Sequence, residues 1–586
     1  DRQGGAQPMV DAATGVTLVF NGEVFNHVEL RAELWGYPFR TRSDTEVILA
    51  AYLRHGIDCV TRFVGQFAFA LWDPRSRELF LARDRTGILP LYWCRKGEAL
   101  AFASEAKALF AAGLAAPALD PLGLLETVRL WAPLAPRTAF EGVHQLPPAH
   151  LARFKDGALS LSRYWRLELS DEVVEHDMSR AEALERLEAV LLEAVRLRLR
   201  ADVPVAAYLS GGLDSSLLCA LAQQQLHGSL QTFSVSFTEA RYDEQAFQQQ
   251  VAGALGTEHH VRAVAGGEVG ALLPRVVWHA EQVLLRSAPA PFLELSRLVR
   301  EHGTKVVLTG EGADEVFLGY DLFKETQVRR FWARARGSTA RPALFSRLYP
   351  YLKLSQQSPE LLKAFFGEGL DAPGAFDFSH QVRWNNSGRI ARFFSADFAR
   401  RVSGWSPEAE VRAGLPSGFD AWRPLRKAQH LELTTLLPSY LLSAQGDRML
   451  MGSSVEGRFP FLDHKVMEFA ATVPDHWKLR GLDEKHLLKR FAGGRVPDAV
   501  LRRSKFPYRA PISGALLGPH APEWTRVQLS AARAEAVGVF DGAKVEKLVK
   551  KLEAGRGGSE GDEMALMAIA STHLLHQSFI GGAAPR

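Results

Sequence analysis

Ser210-Gly211-Gly212-Leu213-Asp214-Ser215-Ser216 lies between an apolar, β-prone run, Val203 to Leu209, and a helical pattern, Leu217 to Gln225. This order predicts a strand, a tight glycine turn and a helix N-terminus. Adjacent glycines let backbone N–H groups point inward and the helix start adds partial positive charge, so the turn predicts a phosphate or pyrophosphate site. The serines add hydroxyl donors. A turn that only caps the helix is the alternative.

Asp214 is unusual in a phosphate site, because a carboxylate repels its ligand unless a cation such as Mg²⁺ lies between them. The pattern GxxxxGK[ST] is absent and the turn has no lysine of its own, which argues against phosphoryl transfer of the P-loop kind. The string resembles the pyrophosphate loop of enzymes that split ATP between the α- and β-phosphates to adenylate a substrate.

Composition narrows the classes of function. The chain has 586 residues, enough for about two to four domains. Its 70 basic and 66 acidic side chains leave a net charge of +4, which predicts no nucleic-acid partner. Cys59, Cys94 and Cys219 are isolated, which excludes a disulfide framework and Cys-type zinc pairs and is typical of the reducing cytoplasm. No apolar run approaches the roughly 18 residues of a membrane span, so no membrane partner is expected.

The first part of the chain predicts an α+β domain. A helix is expected from about His27 to Trp35, and Ser43 or Asp44 could cap the next one. Strands are predicted at Thr17 to Phe20, Phe67 to Trp72, Glu78 to Arg83, Leu91 to Cys94 and Ala99 to Ala103. A polar connector places the domain boundary near residue 170.

The second part, residues 171 to 586, alternates strands with helices. A long helix from Ser179 to Leu199 precedes strands at Val203 to Leu209, Gln231 to Phe237 and Lys305 to Leu308. This alternation predicts a doubly wound parallel sheet with ligands at the C-terminal ends of its strands. Beyond Phe345 the pattern is mostly helical.

A second acidic glycine turn, Gly310-Glu311-Gly312-Ala313-Asp314-Glu315, follows the third of these strands. Asp214 and Asp314 are therefore expected to face each other across one pocket, where they could hold one or two Mg²⁺ ions that bridge phosphates. Acids that only cap a helix are the alternative.

Three further segments carry weaker signals. Phe233-Ser234-Val235 could present backbone groups to an adenine edge. Lys485 opens a helix, where a lysine is usually solvated, but adenylation needs a cation at the α-phosphate. Charged and bulky residues alternate from Asp447 to Asp463, and buried ion pairs at a helix packing surface are the simpler interpretation there.

Together these segments are similar to the glutamine-hydrolysing asparagine synthetases, and the resemblance covers nearly the whole chain. It includes Asn21-Gly22-Glu23, Ser43-Asp44-Thr45-Glu46, Ala82-Arg83-Asp84-Arg85 and Pro90-Leu91-Tyr92. It implies that residues 1–170 are a class II glutaminase domain, an Ntn-type layered α+β sandwich whose first strands are missing. It implies that residues 171–586 are an ATP pyrophosphatase domain of the asparagine synthetase type.

The resemblance also implies roles for residues. In the first site an N-terminal cysteine attacks glutamine, Asn21 and Gly22 form the oxyanion hole, and Glu23 and Asp44 hold the α-amino group. In the second site ATP adenylates a carboxylate, classically that of aspartate, and ammonia that arrives through an apolar channel displaces AMP. There the residues that match are Ser210, Gly211, Gly212, Ser215, Ser216 and Gly310 for ATP, Asp214 and Asp314 for magnesium, Glu311 as the active-site glutamate and Lys485 as the catalytic lysine.

The departures from the family matter as much. No cysteine occupies position 1, and the family's opening Arg-Gly-Pro-Asp and His-Arg-Arg stretches are not in this sequence. Either the opening few dozen residues of the glutaminase domain lie outside this sequence, or the glutaminase activity has been lost. The presence of Asn21, Gly22, Glu23 and Asp44 favours the first explanation. Leu318 replaces a usual glycine and adds bulk near the carboxylate pocket or reshapes the turn. The segment Ser504 to Arg509 also differs, so the acceptor is open.

The expected function is an ATP-dependent, AMP-forming amidotransferase that amidates aspartate or another carboxylic acid of a biosynthetic pathway. Its expected partners are glutamine, ATP, Mg²⁺ and the acceptor; a homodimer is an open alternative to a monomer. A glutaminase-dead relative that uses free ammonia or, like β-lactam synthetases, an internal amine is one alternative, although those enzymes carry a tyrosine where Glu311 stands. A non-catalytic scaffold is another. A tRNA-modifying enzyme would need a basic stripe or cysteine pairs, which the sequence lacks.

Overall fold

A computed structural model describes residues 4–239, 242–349, 359–503, 505, 508–555 and 558–582. In the first part the strands are β1 (Met9–Val10), β2 (Thr17–Val24), β3 (Gly65–Asp73), β4 (Glu78–Arg83), β5 (Tyr92–Lys96), β6 (Ala99–Ala103), β7 (Val143–Gln145), β8 (His150–Lys155) and β9 (Ala158–Arg163). The helices are α1 (His27–Glu33), α2 (Asp44–His55), α3 (Ala106–Ala111) and α4 (Pro121–Leu130), with a 3-10 segment at Gly56–Arg62.

These strands form two antiparallel sheets, with the orders β1-β2-β3-β4-β8-β9 and β6-β5-β7. Apolar residues on β2, β3 and β4 pack with those of α2 in one core, because alternate side chains of a strand share a face. The predicted mixture of strands and helices is confirmed. Strand β2 is longer than predicted and includes Asn21, Gly22 and Glu23.

The second part contains a parallel sheet. Its strands are β10 (Val205–Tyr208), β11 (Gln231–Phe237), β12 (Glu258–Val264), β13 (Val306–Leu308) and β14 (Glu456–Arg458), in the spatial order β12-β11-β10-β13-β14. Every neighbouring pair is parallel. The predicted parallel sheet is confirmed, whereas β12 and β14 were not predicted. The buried ion pairs expected between Asp447 and Asp463 are confirmed, since Arg448 pairs with Glu281 at 3.2 Å and Asp463 with Arg198 at 2.8 Å, but residues 456–458 form a strand.

Helices surround this sheet and dominate the rest of the chain. Up to residue 349 they are α5 (Arg180–Arg198), α6 (Leu213–Gln225), α7 (Gln245–Leu255), α8 (Gly266–Ala280), α9 (Pro289–Glu301), α10 (Ala313–Val316) and α11 (Asp321–Ala333). From residue 359 they are α12 (Pro359–Phe366), α13 (Gln381–Gly388), α14 (Ala396–Arg401), α15 (Pro407–Ala413), α16 (Pro424–Leu431), α17 (Arg448–Met451), α18 (His464–Thr472), α19 (Asp475–Lys478), α20 (His486–Ala492), α21 (Asp498–Arg502), α22 (Ser513–Leu517), α23 (Glu523–Gln528), α24 (Ala531–Val537), α25 (Gly542–Glu553) and α26 (Glu560–Leu575). A π-helical segment, Glu432–Asp447, joins α16 to α17.

One large apolar core runs through both parts and includes residues of β5, α4, α9 and α26. The three cysteines are free and buried, which confirms the expectation that no disulfide framework exists. Within the residues that the structure describes, no helix is both long enough and apolar enough to span a bilayer.

Candidate functional site

The predicted phosphate loop connects β10 to α6. Gly211 has a φ of +74°, and a Cβ there would lie 2.8 Å from Phe247 Cβ and 2.9 Å from Gln248 N, so this position requires glycine. The loop is held by Ser215, whose Oγ accepts a hydrogen bond from the Ser210 N–H at 3.1 Å. Asp214 lies in the first turn of α6. The predicted strand, turn and helix are therefore confirmed.

The second acidic turn lies directly against the first, because β13 pairs with β10 and the two strands end at the same edge. A Cβ on Gly310 would lie 3.2 Å from Asp214 Cβ. Gly312 has a φ of +92°, and a Cβ there would overlap the side chain of Leu462. The structure thus brings Asp214 and Asp314 together, as the sequence predicted.

Two lysines connect these aspartates. Lys485 Nζ lies 2.6 Å from Asp214 Oδ2 and 2.6 Å from Asp314 Oδ1, and Lys505 Nζ lies 2.6 Å from Asp314 Oδ2. Burial alone would raise the pKa of Asp314, but the charges of Lys485 and Lys505 outweigh burial and lower the pKa to about 2. Both carboxylates are therefore held in a cationic cluster at the bottom of the site.

Asp214 and Asp314 could bind a magnesium ion only if a further ligand supplied additional oxygen atoms. Asp214 Oδ1 is buried and has no hydrogen-bond partner among the described residues, so it can accept a cation. No group of three or more His, Cys, Asp or Glu side chains in the described part of the chain could hold a metal ion. An ion between Asp214 and Asp314 would need oxygen atoms from a ligand such as a phosphate, which is how Mg²⁺ is usually bound.

A cavity of about 450 Å³ opens above this cluster and is lined by residues of both parts of the chain. It reaches from Ser210 and Asp214 past Glu311 to Trp131. Burial raises the pKa of Glu311, and a hydrogen bond from the Thr309 hydroxyl only partly opposes that shift. A carboxyl group with a raised pKa is a stronger proton acceptor than an unperturbed one.

The predicted adenine-binding segment also lines the cavity, as part of β11. Its backbone is partly engaged within the protein. The Phe233 carbonyl accepts a hydrogen bond from Leu209 N at 2.9 Å, and the Val235 carbonyl accepts one from Gln248 Nε2 at 3.0 Å. The Ser234 hydroxyl donates to the Leu209 carbonyl. Each carbonyl oxygen keeps a second lone pair, so a ligand could still bond there. Ser216 is fully buried beneath the loop.

The departures from the family pattern lie at different distances from the cavity. Leu318 keeps the left-handed backbone of a glycine, with a φ of +59°, and its side chain is fully buried. It packs with Leu322, Phe323 and Leu425 in a small cluster and does not line the cavity. Leu318 is therefore not part of the cavity lining, although Leu322 of the same cluster is.

Of the second departing segment, Ser504, Phe506 and Pro507 lie outside the described residues. Lys505 lines the cavity, whereas Lys485 is 3% exposed and does not. Arg503 Nη1 donates a 3.3 Å hydrogen bond to the carbonyl of Gly211 in the phosphate loop. Lys505 lies in a segment that differs from the family's usual sequence, and it contributes a second cation to Asp314.

The other predicted site lies on β2 and at the start of α2. Gly22 faces Phe67 of β3, and its φ is +131°. A Cβ there would lie 2.1 Å from the Gln66 carbonyl oxygen, so glycine is required. Asn21 and Glu23 flank it, and alternation places their side chains on one face of the strand. Asp44 Oδ2 accepts a hydrogen bond from Val24 N at 2.9 Å, which brings its carboxylate to the end of β2.

These two acids resist ionisation. Burial, together with the charges of Glu456 and Asp44, raises the pKa of Glu23 to about 8, although Arg458 opposes the shift. Burial also raises the pKa of Asp44, despite the hydrogen bond from Val24. Because each charge disfavours the other, a cationic group between the two carboxylates would stabilise both.

Comparisons with known proteins bear on both sites. A family model described as asparagine synthase matches residues 186–577, and a glutamine amidotransferase domain model matches residues 1–165. An asparagine synthetase [glutamine-hydrolyzing] 1 of Bacillus subtilis is 30% identical over 92% of this chain and 82% of its own length. A putative asparagine synthetase [glutamine-hydrolyzing] of Mycobacterium bovis is 31% identical, over 97% of this chain and 85% of its own.

A relative with a different name, amidase chyE of Penicillium rubens, is 30% identical over 93% of this chain and 84% of its own length. Among solved structures, a glutamine phosphoribosylpyrophosphate amidotransferase of B. subtilis aligns with 44% of this chain and 48% of its own, at 17% identity and a TM-score of 0.21. That structural similarity is too low to support any inference about this chain.

Proposed function

Because the chain belongs to the asparagine synthase family, we propose that it adenylates a carboxylic acid with ATP and amidates it with ammonia from glutamine. The chain is a carbon–nitrogen ligase of the glutamine-hydrolysing type. The finer steps, the release of AMP and pyrophosphate and the roles of single residues, are proposals supported by the geometry of the two sites.

We place the pyrophosphate of ATP on the loop from Ser210 to Ser216, with the adenine beside β11. Backbone N–H groups and the N-terminus of α6 would bind the phosphates. Asp214 and Asp314 would hold magnesium, which neutralises phosphate charge when it is bound. Lys485 and Lys505, which pair with these aspartates, would supply positive charge beside the phosphates.

The acceptor would enter the cavity beside Glu311. A carboxylate oxygen attacks the α-phosphorus, the bond to pyrophosphate breaks, and an acyl adenylate forms. Ammonia then attacks the acyl carbon, AMP leaves, and the nitrogen releases one proton. Glu311, with its raised pKa, is placed to accept that proton.

Either Lys485 or Lys505 could supply the cation at the α-phosphate. Lys485, the residue chosen from the sequence, contacts both aspartates and is buried, which favours a role in holding them together. Lys505 contacts one aspartate and lines the cavity. We therefore propose that Lys505 steadies the charge of the pentavalent α-phosphate and that Lys485 positions Asp214 and Asp314.

In the first site, which we propose is an Ntn-type glutaminase spanning residues 1–170, Glu23 and Asp44 would bind the α-ammonium group of glutamine. Asn21 and the N–H of Gly22 would stabilise the oxyanion that forms when the amide is attacked. The raised pKa of both carboxylates, caused chiefly by burial, supports this, because a cation between them would stabilise their ionised forms.

The observation that carries the proposal is the contact of the two acidic turns beneath a cavity that also contains Glu311. Production of AMP and pyrophosphate from ATP, measured with ammonium and a panel of carboxylic acids that includes aspartate, tests it. The Asp214→Ala, Asp314→Ala double variant is expected to release no AMP. If AMP release persists in that variant, the site is misplaced; if no acid supports AMP release in the unmodified protein, the function is wrong.

A further inference from the structure

One backbone carbonyl of the phosphate loop is held by an arginine from a distant part of the chain. Arg503 directly follows α21, and its Nη1 donates a 3.3 Å hydrogen bond to the carbonyl oxygen of Gly211, 292 residues away in sequence. Among the residues that the structure describes, no other donor bonds to that oxygen. Arg503 is therefore the side chain that fixes the direction in which this carbonyl points.

The guanidinium of Arg503 is itself anchored to α7. Its Nη2 donates to Oε1 of Glu244, the residue before this helix, and its Cζ lies 4.3 Å from the centre of the Phe247 ring. Phe247 also packs against the loop, since a Cβ on Gly211 would lie 2.8 Å from Phe247 Cβ. The side chains of Arg503 and Glu244 are 17% and 15% exposed, so their ion pair is largely shielded from water. The donor that faces Gly211 is thus fixed in place.

The direction of the Gly211 carbonyl determines which group the next residue presents. In a planar trans peptide the carbonyl oxygen and the following N–H point in opposite directions. Arg503 does not line the cavity, and the Gly212 N–H points away from it, towards the Ser210 hydroxyl at 3.3 Å. Ser210 lines the cavity. A phosphate oxygen could therefore replace this hydroxyl as the acceptor of the Gly212 N–H.

The two glycines make an external constraint necessary. Gly211 has a φ of +74°, and glycine adopts positive and negative φ about equally readily. The peptide between Gly211 and Gly212 could therefore rotate at little steric cost. Rotation by half a turn would aim the negative end of the carbonyl dipole at a phosphate and would remove one N–H donor from it. The hydrogen bond from Arg503 opposes this rotation.

We propose that Arg503 is a positioning residue for the nucleotide, which keeps the Gly211–Gly212 peptide turned so that the Gly212 N–H donates to the pyrophosphate part of ATP. The inference rests on the proposed function, since that function places ATP on this loop. Arg503 acts through the Gly211 carbonyl and touches neither the phosphates nor the acceptor. Its effect is therefore confined to ligands that carry a pyrophosphate group, and AMP does not benefit from it.

Calorimetric binding of Mg·ATP, magnesium pyrophosphate and AMP tests this selectivity. Arg503→Met removes the donors and the charge and keeps an unbranched side chain over Phe247. Loss of one hydrogen bond to a charged group weakens binding by about tenfold. Arg503→Met is therefore expected to bind Mg·ATP and magnesium pyrophosphate about tenfold less tightly than the unmodified protein. The affinity for AMP is expected to stay unchanged.

Two further variants assign the effect. Arg503→Met leaves the Glu244 carboxylate without its cation, so this variant could fail to fold. The double variant Arg503→Met, Glu244→Gln removes both charges and is expected to show the same selective loss. Arg502→Met is the matched control, because Arg502 is the neighbouring residue, its side chain is 77% exposed and it pairs with Asp498 at 3.4 Å. This control is expected to bind all three ligands normally.

Each outcome decides the inference. It is wrong if Mg·ATP and magnesium pyrophosphate bind to the Arg503 variants as tightly as to the unmodified protein. It is also wrong if AMP loses affinity to the same extent, because Arg503 would then support the whole pocket rather than one peptide. An equal loss in Arg502→Met would likewise overturn it. If the unmodified protein binds neither Mg·ATP nor magnesium pyrophosphate, the proposed function itself fails, and that result is visible before any variant is compared.

Discussion

The roles of the two active-site lysines can be separated by replacing each with methionine, which keeps most of the side-chain volume and removes the charge. Lys485→Met is expected to destabilise the protein, because Asp214 and Asp314 would lose the cation that they share. Lys505→Met is expected to leave stability within about 1 kcal/mol, since Lys505 is partly exposed and Asp314 keeps Lys485.

The size of the first effect follows from the contacts. At 2.6 Å and an effective dielectric constant of about 20, each of the two contacts of Lys485 is worth about 6 kcal/mol of Coulomb attraction. The desolvation of buried ions offsets most of that attraction. Removal of one partner from a buried ion pair costs about 3–5 kcal/mol, which is the loss expected here.

For turnover the order of the two variants should be the opposite of their order for stability, with the larger loss in Lys505→Met. Loss of a cation aimed at developing phosphate charge lowers turnover by about 10²–10³-fold, and we expect this loss in Lys505→Met. Urea denaturation followed by tryptophan fluorescence measures stability, and AMP release with saturating ATP, ammonium and acceptor measures turnover. Lys465→Met, at an exposed position on α18, is the control for the loss of a lysine.

The assignment would be refuted if Lys485→Met lowered turnover a hundredfold while the urea midpoint stayed at its original value. It would also fail if Lys505→Met retained full turnover. Either result would favour Lys485 for the catalytic role, as the resemblance to the family implies.

Three further changes follow from the same geometry. Gly319→Ala should destabilise the protein by several kcal/mol and stop AMP release, because the new Cβ would lie 2.1 Å from both Asp314 Oδ1 and Lys485 Cε. Urea denaturation measures the loss of stability. Normal AMP release in this variant would contradict the prediction. Leu318→Gly should lower stability by about 1–4 kcal/mol, since the buried side chain is worth more than the relief of its left-handed backbone, and the acceptor profile for AMP release should not change. The affinity for glutamine, measured by calorimetry, should rise as the pH increases from 6 towards 8. The cause is that the Glu23 carboxyl, which has a pKa of about 8, must ionise to attract an ammonium group. A Glu23→Gln variant should lose this rise in affinity.

The two glycine turns were predictable because their chemistry is local. A pair of glycines, an acid and a following helix are adjacent in the chain, and the parallel pairing of β10 with β13 then brings Asp214 and Asp314 together. By contrast, Lys505 lies 191 residues from Asp314 and reaches the same cluster only through tertiary packing, and no local pattern marks it. Strand β14 has three residues, two of them charged, so it lacks the apolar alternation that would identify a strand.

Strand β14 is also where the two proposed sites meet. The Gly457 carbonyl accepts a 2.7 Å hydrogen bond from Gln66 Nε2, which lies beside the glutamine site. The next residue, Arg458, lies 3.7 Å from Glu23 through its guanidinium, and its carbonyl accepts a 2.9 Å hydrogen bond from Thr309 N, two residues before Glu311. Because adjacent residues of β14 contact both sites, a displacement of β14 is expected to alter both of them.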